Sequence, residues 1–330
     1  MGKKAKSLED KFTQKKQQWV ERTAAVLHVS EETTKHLLAI PRQQSIRINP
    51  LKADMKKTIG QLKDLGWSGT PFEWAKGCYR AGSSLQAIRD SQLAQNGTIY
   101  IQNAASWIPV VALDPQPGEH ILDICAAPGG KTSHIAALAE NQTFITANDN
   151  SRPRLAKLRA NLTRLAVDNV DYTLFDATLL AKKLDGQQFD KILLDAPCSG
   201  EGMMTLANSK DFETWSVAHI KRLQQLQKRI IAQAWQLLKP NGTLVYSTCT
   251  MAPEENEAVV DYLLRHNDDA WVQQVKLDLS NRVAPVKEWN GKQFSDQLKF
   301  AVRLVPSTEI EAFFVCKITK TQLDNTGYSL

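Results

Sequence analysis

No run of about eighteen consecutive apolar residues occurs in the chain, which excludes a membrane-spanning helix. The first residues, MGKKAKSLEDKFTQKKQQW, lack the apolar core of a secretory signal. Cysteine is scarce. Cys78, Cys125, Cys198, Cys249 and Cys316 are widely spaced and form no C-x-x-C pair. A structural zinc site is therefore not expected, nor any other metal, and the odd count favours free thiols and a cytoplasmic location. Two phosphate-binding signatures are also missing. A Walker loop needs glycine six positions before its lysine, and Cys125 stands there ahead of Lys131. The G-x-G-x-x-G fingerprint is absent as well.

What the chain does have is a glycine turn between an apolar run and a helical stretch, HILDICAAPGGKT at 120–132. Ile121, Leu122 and Ile124 suit a buried parallel strand. Gly129 and Gly130 allow a sharp turn and a close approach to a ligand. The helix expected over 132–139 starts with backbone N–H groups that lack partners. Doubly wound sheets hold nucleotide-like ligands at such a place, although a tight turn that holds nothing looks the same.

The rest of the pattern extends this unit. Residues 143–148, 170–175, 191–194 and 243–247 read as strands, and 152–165 and 214–238 as helices. The longer helix carries Leu223, Leu226, Ile230, Ala234 and Leu237 on one stripe and is expected to stop at Pro240-Asn241-Gly242. This alternation predicts an α/β fold with a doubly wound, mainly parallel sheet. Residues 302–305 and 313–318 suit an antiparallel addition at its edge. Ahead of it, a basic helix over 3–29, a helix capped by Ser30, a polar–apolar strand at 45–49 and a short helix at 58–65 suggest a small α+β domain. A strand at 97–102 and a helix at 104–113 lead into the sheet. The expected division is 1–95 for a basic RNA-binding domain, 96–320 for a catalytic domain and 321–330 for a tail.

Charge follows the same division. Residues 1–100 hold 17 Lys and Arg against 9 Asp and Glu, and the remainder holds 24 against 26. The basic excess lies wholly in the first third, where Trp67, Phe72, Trp74 and Tyr79 are interleaved with Lys76 and Arg80. That composition can grip RNA, though a solubilising tail accounts as well for the lysines at 3–16, and a small α+β core is the better reading of most of the aromatics individually.

Three acidic residues fall at consecutive strand ends. Asp149 is placed to accept the hydroxyls of a ribose, Asp176 to accept from an adenine amino group, and Asp195 closes the fourth strand. Any one of them alone reads as a helix cap. Together, behind a glycine turn and without a phosphate clamp, they suit S-adenosylmethionine better than NAD. Arg154, at the start of the following helix, joins the candidate cofactor residues. Cys198 and Cys249 lie just past the fourth and fifth strands, in turns of Pro, Ser, Gly and Thr. If those strands are neighbours, about 5 Å separates them, and two thiols face one pocket. Cys78 and Cys316 read instead as small core hydrophobes.

On CAAPGGKT at 125–132, DAPCSG at 195–200, STCT at 247–250 and PEENE at 253–257, the chain resembles the Sun-type RNA (cytosine-carbon-5) methyltransferases over about residues 40–320. The wording at 200–202 and 246–250 is most similar to the bacterial branch that modifies small-subunit ribosomal RNA. That branch carries a further C-terminal RNA-binding portion, which this chain is expected to lack. The resemblance implies a Rossmann-like fold, S-adenosylmethionine as cofactor, RNA as partner and a monomer. It assigns Cys249 as the nucleophile that adds to carbon-6 and Cys198 to the release step. It gives Asp195 the N3 and amino edge of the base, and gives Lys131 either the base carbonyl or the orientation of Asp195. The cofactor cradle it implies is Cys125, Ala126, Ala127, Pro128, Gly129, Gly130 and Lys131. A transfer-RNA methyltransferase and a non-catalytic ribosome-assembly factor are the alternatives. The second cysteine argues against a DNA enzyme, and the turn DAPC argues against an amino-methyltransferase.

Overall fold

The structure, a computed structural model, describes residues 3–41, 43–82 and 85–322, with side chains from Asp10 onward. Most of the expected tail, 323–330, lies outside the described residues. The chain begins with α1 (Lys3–Leu27), α2 (Glu31–Ala39), β1 (Ser45–Ile48), α3 (Met55–Asp64), β2 (Cys78–Arg80), α4 (Leu85–Asp90), α5 (Gln92–Gln95) and β3 (Ile99–Gln102). It continues with α6 (Ile108–Leu113), β4 (His120–Asp123), α7 (Gly130–Leu138), β5 (Phe144–Asn148), α8 (Arg152–Arg164), β6 (Val170–Thr173), α9 (Leu180–Lys183) and β7 (Phe189–Asp195). Then come α10 (Val217–Leu237), β8 (Leu238–Thr248), α11 (Glu257–His266), β9 (Ala270–Gln273), β10 (Arg282–Val283), β11 (Glu288–Trp289), β12 (Lys292–Gln293), β13 (Val302–Leu304) and β14 (Phe313–Lys320).

The main sheet runs β10-β13-β14-β8-β7-β4-β5-β6, with β9 beside β14. The five strands from β6 to β8 are parallel, and β14 adds antiparallel to β8. The α/β, doubly wound, mainly parallel sheet is as expected, edge addition included. Side-chain alternation sets its two layers. Ile121, Leu193, Val245 and Val315 face one core with α6, α7 and α8, while Leu122, Leu194, Leu244 and Phe314 face the other with α9, α10 and α11. The order reverses at β4, which has β5 on one side and β7 on the other. That is the switch point where open sheets bind ligands.

Several expectations need correction. α10 ends at Leu237, and Pro240-Asn241-Gly242 lies inside β8, where the register against β7 shifts. Asn241 takes a positive φ of 61°, so the turn residues make a strand irregularity instead of a helix stop. Leu223 and Leu226 are half-buried, and Gln227 with Ile231 takes the core face beside Ile230. β1 is buried at all four positions, so its polar–apolar alternation does not mark a solvent face. Arg47 points into the molecule and donates to Ser133 Oγ at 2.7 Å.

β1 pairs with β2 and β3, so the small sheet draws a strand from 99–102, beyond the boundary expected near residue 95. Its core is Ile46, Ile48, Leu62, Trp67 and Ile99. Trp67 and Phe72 are therefore core residues, not stacking platforms, and Trp74 and Tyr79 are half-buried. The Arg80 guanidinium sits over Phe72 and pairs with Glu309 at 2.5 Å. α1 packs elsewhere. Trp19 and Val20 join Phe212, Trp215, Ile220 and Met251 around the loops after β7 and β8.

Candidate active site

The turn after β4 is shaped by Gly129, whose φ is +104° and whose missing side chain leaves room for Leu158, since a Cβ here would fall 2.9 Å from the Leu158 Cδ1. The positive φ is what favours glycine here. Arg154 Nη2 donates to the Ala127 carbonyl at 2.9 Å and Asn161 donates to Pro128 O at 2.8 Å, so α8 holds the turn. Beside it lies a cavity of about 130 Å³ lined by Tyr100, Gln102, Ser106, Lys131, Asp195 and the turn from Cys125 to Gly130.

The strand-end aspartates differ in their freedom. Asp149 is buried, accepts from Ser151 N at 3.0 Å with Oδ1, and has Arg154 Nη2 at 3.2 Å from Oδ2 without hydrogen-bond geometry. Asp176 is exposed and caps a short helical turn, Oδ1 accepting from the Thr178 backbone and hydroxyl at 2.8 Å each. Those two bonds hold its carboxyl below the usual range. Asn148 ties the ends of β4, β5 and β6 together through Ile124 O, Thr173 Oγ1 and Phe175 N.

Asp195 ends β7 and accepts from Lys131 Nζ at 2.7 Å and from Ser247 Oγ at 2.8 Å. Burial alone would lower the Lys131 ammonium, but its pairing with Asp195 reverses the effect and the net shift is upward. Lys131 Nζ also lies 5.9 Å from the centre of the Phe313 ring.

β7 and β8 are parallel neighbours with Asp195 opposite Ser247, so the turns beyond them meet. Cys198 Sγ and Cys249 Sγ are 3.3 Å apart, both half-buried and both free thiols. The contact with Cys249, followed by burial and nearby Glu255 and Asp195, pushes the Cys198 thiol well up. Gly202 N donates to the Cys249 carbonyl at 2.8 Å, and any Cβ on Gly202 would lie 2.1 Å from Ala312 O.

Sequence reasoning missed Asp123, Tyr100, Gln102, Ser106 and Phe313. Asp123 is buried, Oδ2 accepts from Thr132 Oγ1 at 2.7 Å, and Oδ1 has no partner. Burial pushes its carboxyl up to about 7. The signal was present, since a carboxylate inside Ile-Leu-Asp-Ile cannot be solvated. Tyr100, Gln102 and Ser106 stand in no motif, and only the docking of β3 on the turn brings them to the cavity. Cys78 and Cys316 are buried as expected of core residues. Among the described residues no helix is long and apolar enough to cross a membrane, and no cluster of His, Cys, Asp or Glu has metal-binding geometry.

A family model described as 16S rRNA methyltransferase RsmB/F matches residues 110–319. The chain is 43% identical over 285 residues to the tRNA (cytosine(49)-C(5))-methyltransferase of Pyrococcus abyssi, covering 85% of this chain and 89% of that protein. It is 40% identical over 229 residues to the Ribosomal RNA small subunit methyltransferase F of Cronobacter sakazakii, covering 68% of this chain and 47% of that protein. The chain thus spans about half the length of the latter relative. A solved structure titled as a methyltransferase homolog from Pyrococcus horikoshii superposes with a TM-score of 0.72 at 34% identity, covering 91% of this chain and 98% of the other.

Proposed function

The chain belongs to the 16S rRNA methyltransferase RsmB/F family, and from that premise we propose that it methylates carbon-5 of a cytosine in RNA with S-adenosylmethionine, small-subunit ribosomal RNA being the foremost target. The observation that carries the chemistry is the pair of thiols 3.3 Å apart at the ends of adjacent strands, beside the Lys131–Asp195 pair.

The cavity beside the glycine turn suits the amino-acid end of the cofactor. Gln102 brings a buried amide whose oxygen and nitrogen both lack partners, a match for the carboxylate and ammonium of an amino-acid end. Asp149 keeps one oxygen without a hydrogen bond, which suits a ribose hydroxyl, and Asp176 lies at the next strand end for the adenine. When bound, S-adenosylmethionine supplies an electrophilic methyl group.

The protein's own part is to make the base reactive. Carbon-5 of cytosine is a poor nucleophile until a thiolate adds at carbon-6. Cys249 makes that bond. Asp195 uses two of its acceptor positions on Lys131 and Ser247 and keeps others for the N3 and amino edge, a contact that requires a proton on N3 or on the carboxyl. Lys131, held by Asp195, is oriented by that pair. After transfer the proton on carbon-5 passes to a base, the adjacent Cys198 sulfur being the candidate, and the electron pair it leaves restores the ring double bond and expels Cys249 as a thiolate from carbon-6. The base must leave its stack to reach the thiols, at a cost of a few kcal/mol, so an unpaired segment is the better substrate.

A transfer-RNA target is the second reading, favoured by the 43% identity that extends over 89% of the Pyrococcus abyssi protein. Bisulfite sequencing of RNA from cells with and without the protein decides between them. A single small-subunit ribosomal site is expected to lose 5-methylcytosine. Loss of a transfer-RNA site keeps the chemistry and changes the target, and no lost site in any RNA overturns the proposal.

A further inference from the structure

Behind the two thiols, four side chains form one hydrogen-bonded chain. Glu255 Oε1 lies 2.5 Å from Ser199 Oγ, Ser199 Oγ lies 2.8 Å from Thr250 Oγ1, and Thr250 Oγ1 lies 3.0 Å from Glu201 Oε2. Ser199 adjoins Cys198 in sequence, and Thr250 adjoins Cys249. The outer carboxylate oxygens are engaged by donors that cannot turn. Glu255 Oε2 accepts from Ser199 N at 3.0 Å and Gln227 Nε2 at 2.8 Å, and Glu201 Oε1 accepts from Trp215 Nε1 at 2.8 Å. Ala252 N donates to Thr250 Oγ1 at 3.2 Å.

Three bonds in the chain need three protons. Each hydroxyl supplies one, and an ionised carboxylate supplies none. If both glutamates were ionised, each hydroxyl would point at its own carboxylate. The Ser199 and Thr250 oxygens would then face each other at 2.8 Å with no hydrogen between them. We propose that Glu201 and Glu255 share a single proton across Ser199 and Thr250, and that this proton clamps the turn bearing Cys198 onto the turn bearing Cys249.

The surroundings agree. Both glutamates are buried, and burial raises both carboxyls, Glu255 to about 7. The charged and titratable groups facing Glu201 are Arg22 of α1 and Glu254, and those facing Glu255 are Glu201, Cys198 and Tyr246. Only Arg22 among them favours an ionised neighbour, so the proton sits on Glu255. Glu255 then donates to Ser199, Ser199 to Thr250, and Thr250 to ionised Glu201. The inference rests on the proposed function only in giving the two thiols their work, because the proton count is independent of any reaction.

The count makes an unusual demand on substitutions. In Glu255→Gln the amide nitrogen donates where the protonated acid did and its oxygen keeps the other two bonds, so the chain survives without the proton. Glu201→Gln works from the other end. The double variant brings four protons to three bonds and leaves one hydroxyl hydrogen with nowhere to go.

Urea unfolding of the full chain, measured from pH 5 to pH 7 for the wild type, both single variants and the double variant, tests this. A carboxyl raised from its ordinary 4.5 to about 7 stabilises fully below the lower value and loses that contribution as pH rises through the higher. Relative to Glu255→Gln, the wild-type unfolding constant is expected to rise about tenfold per pH unit in this window, the mark of one bound proton. The double variant is expected to lose more stability than the two single losses combined. Ser199→Ala, which removes the link, is expected to speed alkylation of Cys198 by iodoacetamide severalfold relative to Glu255→Gln, which keeps the link. Equal pH slopes in wild type and Glu255→Gln, additive losses in the double variant, or failure of Glu255→Gln to fold each overturn the shared proton. An alkylation rate in Ser199→Ala no faster than in Glu255→Gln overturns the clamp. None of these readouts involves methyl transfer, so a failure here leaves the proposed function standing, and the reverse.

Discussion

Cys198 and Cys249 share one contact, but their other neighbours differ. Cys198 takes its upward shift from Cys249 first and then from burial. In the proposed reaction Cys249 attacks carbon-6 and Cys198 serves the release. The two alanine variants should therefore fail differently. Cys249→Ala is expected to abolish methyl transfer while S-adenosylmethionine affinity, measured by calorimetry, stays within about twofold. Retained turnover would remove Cys249 as nucleophile. Cys198→Ala is expected to trap the bond between Cys249 and RNA, seen as a slow band on a denaturing gel. Normal turnover without that band would remove Cys198 from the release step. The sequence already pointed to both cysteines, because two thiols in polar turns beyond strands are poorly explained as core. It did not reveal Asp123 as a buried acid, because the apolar run continues past it to Ile124 and hides the end of β4.

At the scale of elements, legibility followed the range of the interactions. β4, β5, β7 and α8 were readable because each carries its own apolar run or period. The extra length of β8 was not, since Pro240-Asn241-Gly242 is the local signature of a stop and only pairing with β7 carries the strand through it. β1 looked half-exposed because its outer face is covered by α7, some eighty residues further on. The docking of α1 is the strongest case. Its pattern announces an apolar face without saying what covers it. In the folded chain, fully buried Trp19 meets Phe212 edge-on at 5.4 Å, and Phe212 in turn meets Trp215. Arg22 adds an ion pair with Glu254, its Nη2 reaching both carboxylate oxygens at 2.9 and 3.0 Å. α1 is thus a brace on the loop that follows Cys249. Trp19→Ala is expected to cost about 3–5 kcal/mol in urea unfolding, the range for a buried aromatic. A loss under about 1 kcal/mol would mean that α1 is not docked there in solution.

For the whole molecule, the uneven charge gains a different meaning once contacts are known. The first hundred residues carry 17 basic side chains, but several are committed to partners within the protein. Lys15 donates to Phe212 O and Glu213 O, Lys52 to Asn96 O and Arg164 O, Arg47 is buried, and Arg22 and Arg80 pair with carboxylates. The surface that can meet phosphates is smaller than composition suggests. Lys56, Lys57 and Lys63 of α3 stay exposed, on the unit whose strand β3 also lines the cavity beside the glycine turn. An RNA held there would be held next to the chemistry. Each phosphate neutralised on a single strand contributes about −0.7 to the slope of log affinity against log salt. Replacing all three lysines with alanine is therefore expected to flatten that slope by about 2 and to weaken binding at low salt far more than at high salt. Filter binding of a small-subunit ribosomal RNA fragment across a salt series measures it. An unchanged slope would take α3 out of the RNA path and leave its lysines as a solvated face. A flattened slope together with unchanged turnover at saturating RNA would give the N-terminal unit a role in capture, separate from the role proposed for the two thiols.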